Sequence, residues 1–136
     1  MKVILQTRDI QVLKFIFACR AVTYYQIARR HFKNVSNSFV RRRLKALVRA
    51  GYLKTNVIEL FGKVVKVVQP LPKSWESIEG KWSFEIDKPY FKSESLEHDV
   101  RLADIFLRFE KLTCFRNFMT ENLLASSKTL ANDPIY

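Results

Sequence analysis

The chain has 136 residues, of which 48% are hydrophobic, and it carries a formal net charge of +11. This length suffices for one domain, or for one compact domain with an extension. The longest apolar run near the start, FIFAC, is far shorter than the roughly 18 residues of a membrane span, and no cleavable signal pattern precedes it. The sequence therefore predicts a soluble cytoplasmic protein that has no membrane partner.

The positive charge is concentrated in the first half of the chain. Residues 1–66 hold fifteen of the 24 lysines and arginines but only two acidic residues, Asp9 and Glu59. The remaining residues carry nine basic and eleven acidic side chains. Net charge says little about fold, but a basic region of this kind indicates a polyanionic partner.

Cysteine and histidine are too few and too scattered to form a recognisable site. Cys19 and Cys114 lie far apart in apolar surroundings, and neither has a partner at the spacing of a zinc motif. His31 and His98 are equally isolated. We therefore predict buried reduced thiols, no metal site and no cofactor, and the sequence identifies no small-molecule ligand.

Two short helices are predicted at the start of the chain. Thr7 is a candidate N-cap for the first, because its hydroxyl can accept from an unpaired backbone N–H, and this helix ends near Arg20. Thr23 and Gln26 have the spacing of a capping box, in which each side chain bonds the other residue's backbone N–H. A second helix of about ten residues is predicted to begin there.

The third predicted helix carries three consecutive arginines. Ser36 is its N-cap, it runs to Ala50, and Gly51 stands where a left-handed residue commonly ends a helix. At about 100° per residue, one side of this helix consists of Val40, Leu44, Leu47 and Val48. The opposite side carries Ser38, Arg42, Lys45 and Arg49, with Arg41 and Arg43 on the flanks. The positive charge and the core-facing stripe therefore lie on different sides.

A β-hairpin and a connecting segment follow. YLKTNVIEL and KVVKVVQP are rich in β-branched and apolar residues, and the FG dipeptide between them forms a turn. Pro70 and Pro72 end the hairpin. The segment 71–95 is interpreted as a connection of moderate order, and we expect the aromatic side chains to belong to the core rather than to stack on bases.

A long fourth helix is predicted from a cap at Ser93 or Ser95 through Leu112. A ladder of opposite charges runs along it, formed by Glu97, Arg101, Asp104, Arg108 and Lys111. Val100, Ala103 and Leu107 face one way, whereas Leu102, Ile105, Phe106 and Phe109 face roughly the other. The second apolar side is predicted to form a homodimer interface, or else to be covered by Trp75, Trp82, Phe84 and the terminal segment.

The order of helix, turn, capped helix and β-hairpin resembles the winged helix-turn-helix DNA-binding family over residues 1–70. TYYQIARRHF matches the supporting helix, SNSFVRRRLKALVRAG the recognition helix, and YLKTNVIELFGKVVKVVQ the wing. LVRAGYLK, where a helix ends in glycine and leads straight into the first wing strand, is the most specific match. The resemblance implies an α+β fold, in which a domain of three helices plus a β-hairpin wing (1–70) is followed by a connecting segment (71–95) and a C-terminal helical extension (96–136).

The resemblance also implies that double-stranded DNA is the partner, with the helix at 36–50 in the major groove. Arginine can donate two hydrogen bonds to guanine, and asparagine can pair with adenine. The residues expected at base edges are Asn37, Ser38, Arg41, Arg42 and Lys45. The residues expected at phosphates, which position the protein without specifying sequence, are Arg29, Arg30, Lys33, Arg49, Lys54, Lys63 and Lys66.

TRDIQVLKFIFACRAVTYYQIARRHF, LEHDVRLADIFLRFEKL and FMTENLL are, in addition, similar to the replication-relaxation family of plasmids and other mobile elements. The two resemblances together imply a transcriptional regulator, or a replication or maintenance factor of a plasmid or mobile element. Neither implies a catalytic residue in this chain, and we expect no enzymatic activity.

Two alternatives stay open. The first is a metal-dependent nuclease-like protein with Asp99, Glu121 and Asp133 as carboxylate ligands, although the chain has no Glu-x-Lys after Asp133 to complete such a motif. The second is a winged helix used for protein contacts or for RNA, which would be read through its backbone shape or its unstacked bases.

Overall fold

A computed structural model describes residues 3–82, 86, 89 and 91–110. The elements are α1 (Thr7–Cys19), β1 (Val22–Thr23), α2 (Tyr24–His31), α3 (Asn37–Arg49), β2 (Leu53–Leu60), β3 (Lys63–Pro70), a 3₁₀ turn (Pro72–Ser74), α4 (Trp75–Ile78) and α5 (Leu96–Phe109). The strands form one antiparallel sheet in the order β1-β3-β2. Over the described residues the fold is therefore α+β, and its element order and sheet order are compatible with a winged helix-turn-helix arrangement.

Local side-chain caps set the starts of the first three helices. The Thr23 hydroxyl accepts from the backbone N–H of Gln26 at 3.1 Å, and Gln26 Oε1 accepts from the N–H of Thr23 at 2.9 Å. Ser36 caps α3 by accepting from the N–H of Phe39 at 3.3 Å. These two predicted caps are confirmed. The predicted cap at Thr7 is wrong, because Gln6 is the N-cap of α1 and its N–H donates to the Asp9 carboxylate at 2.7 Å.

Two positive-φ turns delimit the hairpin. Gly51, with φ of 89°, ends α3 and leads into β2, as the sequence predicts. Phe61 and Gly62 connect the strands with φ of 51° and 76°, the backbone region that a two-residue hairpin turn of the primed type requires. The turn places Leu60 opposite Lys63, and this pair fixes the register of all the other pairs between β2 and β3.

Helix α1 lies at the centre of the hydrophobic core. Its Leu13, Ile16 and Phe17 are fully buried, and the same cluster includes Ile27 of α2 and Leu44 of α3. Burying each of these side chains stabilises the fold by about 1.5–3 kcal/mol. The apolar stripe predicted for α3 therefore faces the core.

The connecting segment also packs on α1. The ring centroids of Trp75 and Trp82 lie 5.3 and 5.7 Å from that of Phe17. Ile86 is half-buried against the same cluster, whereas Phe84 lies outside the described residues. The two tryptophans are thus core residues, as expected from the sequence.

Helix α5 packs against α2 and the sheet. Ser95, rather than Ser93, is its N-cap, and its buried side consists of Val100, Ala103 and Leu107 together with Asp99. Gln26 Nε2 donates to the Val100 carbonyl at 2.9 Å and to Asp104 at 2.7 Å. Within the predicted charge ladder, Glu97 and Arg101 form an ion pair at 2.7 Å, whereas Asp104 bonds to α2, and Lys111 and Leu112 lie outside the described residues.

A buried ion pair links α1 to α3. Asp9 is only 1% exposed, and its carboxylate accepts hydrogen bonds from Arg43, one of which, from Nε to Oδ1, measures 2.9 Å. Arg43 Nη2 also donates to the Ile4 carbonyl at 3.0 Å. The third arginine of the run in α3 therefore holds the fold together, while Arg41 and Arg42 remain exposed.

Replacing Arg43 should destabilise the protein more than replacing its neighbour Arg42. Arg43→Ala leaves the buried Asp9 carboxylate without its cationic partner, and we expect a loss of about 1.5–3 kcal/mol in the free energy of unfolding, the range for hydrogen bonds to a charged group. Arg42→Ala, at an exposed position of the same helix, should change it by less than about 0.5 kcal/mol. Urea unfolding followed by circular dichroism measures both, and equal losses would contradict a structural role for the ion pair.

Candidate nucleic-acid interface

One side of α3 is polar, basic and exposed to solvent. Val40, Leu44 and Leu47 are buried on the opposite side. The exposed polar and basic residues are Asn37, Ser38, Arg41, Arg42, Lys45 and Arg49. All five residues predicted to contact bases are therefore accessible, together with Arg49. The two faces of this helix are those predicted from its sequence at about 100° per residue.

A shallow groove of about 180 Å³ separates the start of α3 from α2. Tyr24 and Tyr25 line it from α2, and Asn37 and Arg41 line it from α3. Lys66 Nζ of β3 lies 5.9 Å from the centre of the Tyr24 ring. Lys66 thus lies beside the surface formed by α2 and α3, and the two tyrosines are members of that surface that the sequence analysis missed.

The hairpin divides its three predicted phosphate ligands between two faces. Lys66 pairs with Val57, on the same face as Val68, whose side chain enters the core beneath α1 and α3. Lys54 and Lys63 are on the other face, because side chains alternate along a strand. That second face carries Leu60, which packs towards α5. This division between the two faces could have been predicted from the sequence, because side chains alternate between the faces of a strand.

The basic residues of α2 and of the segment just after it differ in how accessible they are. Arg29 and Lys33 are exposed. Arg30 is held within the chain, since its Nε lies 2.9 Å from Glu110 and its guanidinium lies 4.9 Å from the Phe15 ring centre and 5.3 Å from that of Phe106. Its carboxylate partner, 80 positions away, could not be recognised from spacing.

Several aromatic side chains lie on the surface, contrary to the expectation that they serve the core. Phe61 at the hairpin turn is 84% exposed, and Tyr25 at the α2–α3 groove is 71% exposed. Phe39 of α3 is 43% exposed. The Arg101 guanidinium lies 4.9 Å from the Phe61 ring centre, so the hairpin turn reaches α5.

The predicted dimer face of α5 is partly used within the chain. Phe106 packs against the core and lies 6.1 Å from Phe15, ring centre to ring centre, and Leu102 is half-buried. Ile105 and Phe109 are 43% and 38% exposed. The apolar surface available to a second copy is therefore smaller than the helical wheel predicts, and the dimer stays a prediction.

The candidate metal ligands do not form a site in the described part of the chain. Asp99 is buried and accepts a hydrogen bond from the Ser93 hydroxyl, while Glu121 and Asp133 lie outside the described residues. Among residues 3–82, 86, 89 and 91–110, no three His, Cys, Asp or Glu side chains could together hold a metal ion. No helix in these same ranges is long and apolar enough to cross a membrane.

Cys19 is a buried core thiol, as predicted. Burial raises its pKa to about 12, an effect that the positive charge of Arg30 partly offsets. A thiol with this pKa stays protonated at neutral pH and is a poor nucleophile. Cys114 lies outside the described residues.

Neither a protein-family model, nor a curated protein sequence, nor a solved structure matches this chain. The family resemblances therefore stay predictions, and the geometry of the described residues is the basis for assigning a function.

His31, at the end of α2, is half-buried in a cationic environment. Its ring lies 5.4 Å from that of Phe15, and its Nε2 is 3.1 Å from Arg30 Nη1. A guanidinium can only donate, so Nε2 accepts and carries no proton. Burial, followed by the charges of Arg30 and Arg8, lowers the pKa of His31 to about 4 from its usual 6.5.

His31 should make the protein less stable in acid. The unfolded state binds a proton below pH 6.5 and the folded state only near pH 4, so stability contributed by neutral His31 is complete above pH 6.5 and is lost between those values. We expect a loss of about 1–2 kcal/mol after solvent screening. Urea unfolding over this range should show a smaller pH dependence for His31→Gln than for the wild type.

The control is His98→Gln, at an exposed histidine, and it should retain the wild-type pH dependence. Identical profiles for all three proteins would contradict the assignment to His31.

Proposed function

We propose that this chain is a sequence-dependent double-stranded DNA-binding protein of the winged helix-turn-helix class. The observation that carries the proposal is the exposed polar and basic face of α3, opposite a buried apolar face. The neighbouring Lys66 of the hairpin and Arg29 of α2 extend this positive surface. A helix of this width fits the major groove of B-form DNA, with strands beside it at the backbone.

Within the proposed complex, the N-terminal half of α3 reads base edges. Asn37, Arg41 and Arg42 have the donor geometry to bond adenine or guanine, since asparagine pairs with adenine and arginine bonds guanine at two acceptors. Ser38 and Lys45 supply further hydrogen bonds on the same exposed side. These side chains determine sequence preference.

A second set of cations contacts phosphates. The proposed members, all exposed, are Arg29, Lys33, Arg49 and Lys66. Arg30 is left out because Glu110 and two aromatic rings already hold its guanidinium. Lys54 and Lys63 are left out because both lie on the hairpin face opposite the one that carries Lys66. The phosphate contacts position the protein and contribute the same affinity on every sequence.

The biological role that we propose is regulation of transcription, or the replication or maintenance of a plasmid or mobile element. RNA binding is a second candidate, and the observation that favours it is the exposure of Tyr25 and Phe61, at 71% and 84%. Exposed aromatic rings can stack on unpaired bases. Duplex DNA is the better fit, because the exposed residues proposed to read bases share one face of α3, a helix that fits the major groove.

Binding to duplex DNA should weaken steeply with salt. Each phosphate that the protein neutralises releases counterions, so the logarithm of the affinity should fall with the logarithm of salt concentration by about 0.9 per contact. Fluorescence anisotropy with a labelled duplex, selected from a random library, measures this slope. Unlabelled structured RNA should compete poorly, and more effective competition by RNA than by duplex would reverse the choice between the two candidates.

Variants of three exposed basic residues separate the proposed roles. Arg42→Ala should cost about 1–3 kcal/mol on the selected sequence and relax its preference at one position. Lys66→Gln should weaken all sequences alike and reduce the salt slope by about 1. Lys54→Gln, the matched control on the opposite hairpin face, should leave both affinity and slope unchanged. If all three variants bind as the wild type does, the proposed interface is wrong.

A further inference from the structure

A groove of about 430 Å³ lies on the hairpin face that points away from α3. Lys54 and Asn56 of β2 line one part of it, and Gln69 of β3 lines another. The facing wall is the segment that leads into α5, with Phe91 and Lys92. We call this space the hairpin groove, and its volume is within the roughly 300–1,000 Å³ typical of small-ligand sites.

The charged residues that line the hairpin groove are basic. Lys54 and Lys92 are both exposed and belong to opposite walls, and among the described residues that line the groove none is acidic. The Asp99 carboxylate lies close behind the lining residue Ser93, whose hydroxyl donates to it. Two ammonium groups on opposite walls favour an anion between them.

The groove also has a polar floor and an apolar side. Gln69 is 4% exposed, and its side-chain oxygen accepts from Asn56 Nδ2, so the two amides fix each other's orientation. Phe91 and Leu96 add aromatic and aliphatic surface to the opposite wall. A few polar groups in fixed positions beside an apolar wall are typical of sites for small organic molecules.

We infer that the hairpin groove binds a small organic anion, consisting of a carboxylate on an aromatic or other apolar body. The carboxylate pairs with the ammonium groups of Lys54 and Lys92, and the apolar body packs against Phe91 and Leu96. A small ligand fits better than a nucleic acid, because the two cations flank a bounded groove on the hairpin face away from α3. Such a ligand joins the hairpin to the segment before α5 and so stabilises the folded state.

Naphthalene-carboxylate is a suitable probe, and the neutral naphthalene-carboxamide is its matched control. Isothermal titration of the full chain, without DNA, should detect the carboxylate and not the amide, and the carboxylate alone should raise the melting temperature. The variant Lys54→Gln/Lys92→Gln should bind the carboxylate about tenfold more weakly, because it lacks both ion pairs. Lys81→Gln, which removes one positive charge outside the groove and so matches the single variant Lys92→Gln, should bind as the wild type does.

The inference is overturned if the carboxamide binds as tightly as the carboxylate, if inorganic phosphate binds equally well, or if the Lys54/Lys92 variant binds the carboxylate like the wild type. Both lysines are exposed, so the variant should fold, and circular dichroism without ligand checks this. Lys92→Gln alone provides a second, milder variant. If the double variant weakened duplex DNA binding as much as Lys66→Gln does, the groove would belong to a nucleic-acid surface instead. The ligand titration contains no DNA, so its result does not depend on the proposed function.

Discussion

The buried carboxylate of Asp9 is the constraint on which the orientation of α3 depends. A carboxylate that is 1% exposed needs hydrogen-bond donors, and it obtains them from the backbone N–H of Gln6 and the guanidinium of Arg43. The same group therefore caps α1 and fixes one side of α3 against it. With Arg43 turned inward, the helical period directs Arg42 and Lys45 to solvent. This ion pair thus gives Arg43 a structural role that Arg41 and Arg42 do not have.

A second set of polar contacts attaches α5 to the unit formed by the first three helices and the sheet. Gln26 caps its own helix and also donates to the Val100 carbonyl and to Asp104, and Arg30 pairs with Glu110 near the other end of α5. These bonds place α5 beside the hairpin face that α3 does not cover. The placement has two consequences: it takes Arg30 out of the set of available cations, and it forms the hairpin groove with the segment before α5.

The hairpin consequently presents different chemistry on its two faces. The face with Lys66 continues the positive surface of α2 and α3, where many cations can meet a long polyanion. The face with Lys54 closes over a bounded space in which two cations adjoin an apolar wall. The proposed DNA contacts and the inferred organic anion therefore use lysines that are close in sequence but separated by the sheet, and occupation of one face need not obstruct the other.

The sequence by itself determined the features that depend on neighbours within a few residues. The Thr23 and Ser36 caps, the Gly51 helix end, the turn at Phe61 and the two sides of α3 follow from local spacing, because backbone hydrogen bonds and helical or strand periods act over three or four positions. Only the tertiary structure decided which arginines are held in ion pairs. Arg43 pairs with Asp9, which is 34 positions away, and Arg30 pairs with Glu110, which is 80 positions away. Helical and strand periods relate only residues a few positions apart, so they cannot predict such pairs. The side-chain alternation that separates Lys54 from Lys66 is local, but what each face of the hairpin packs against is set by the placement of α5, a long-range consequence of burying its apolar side.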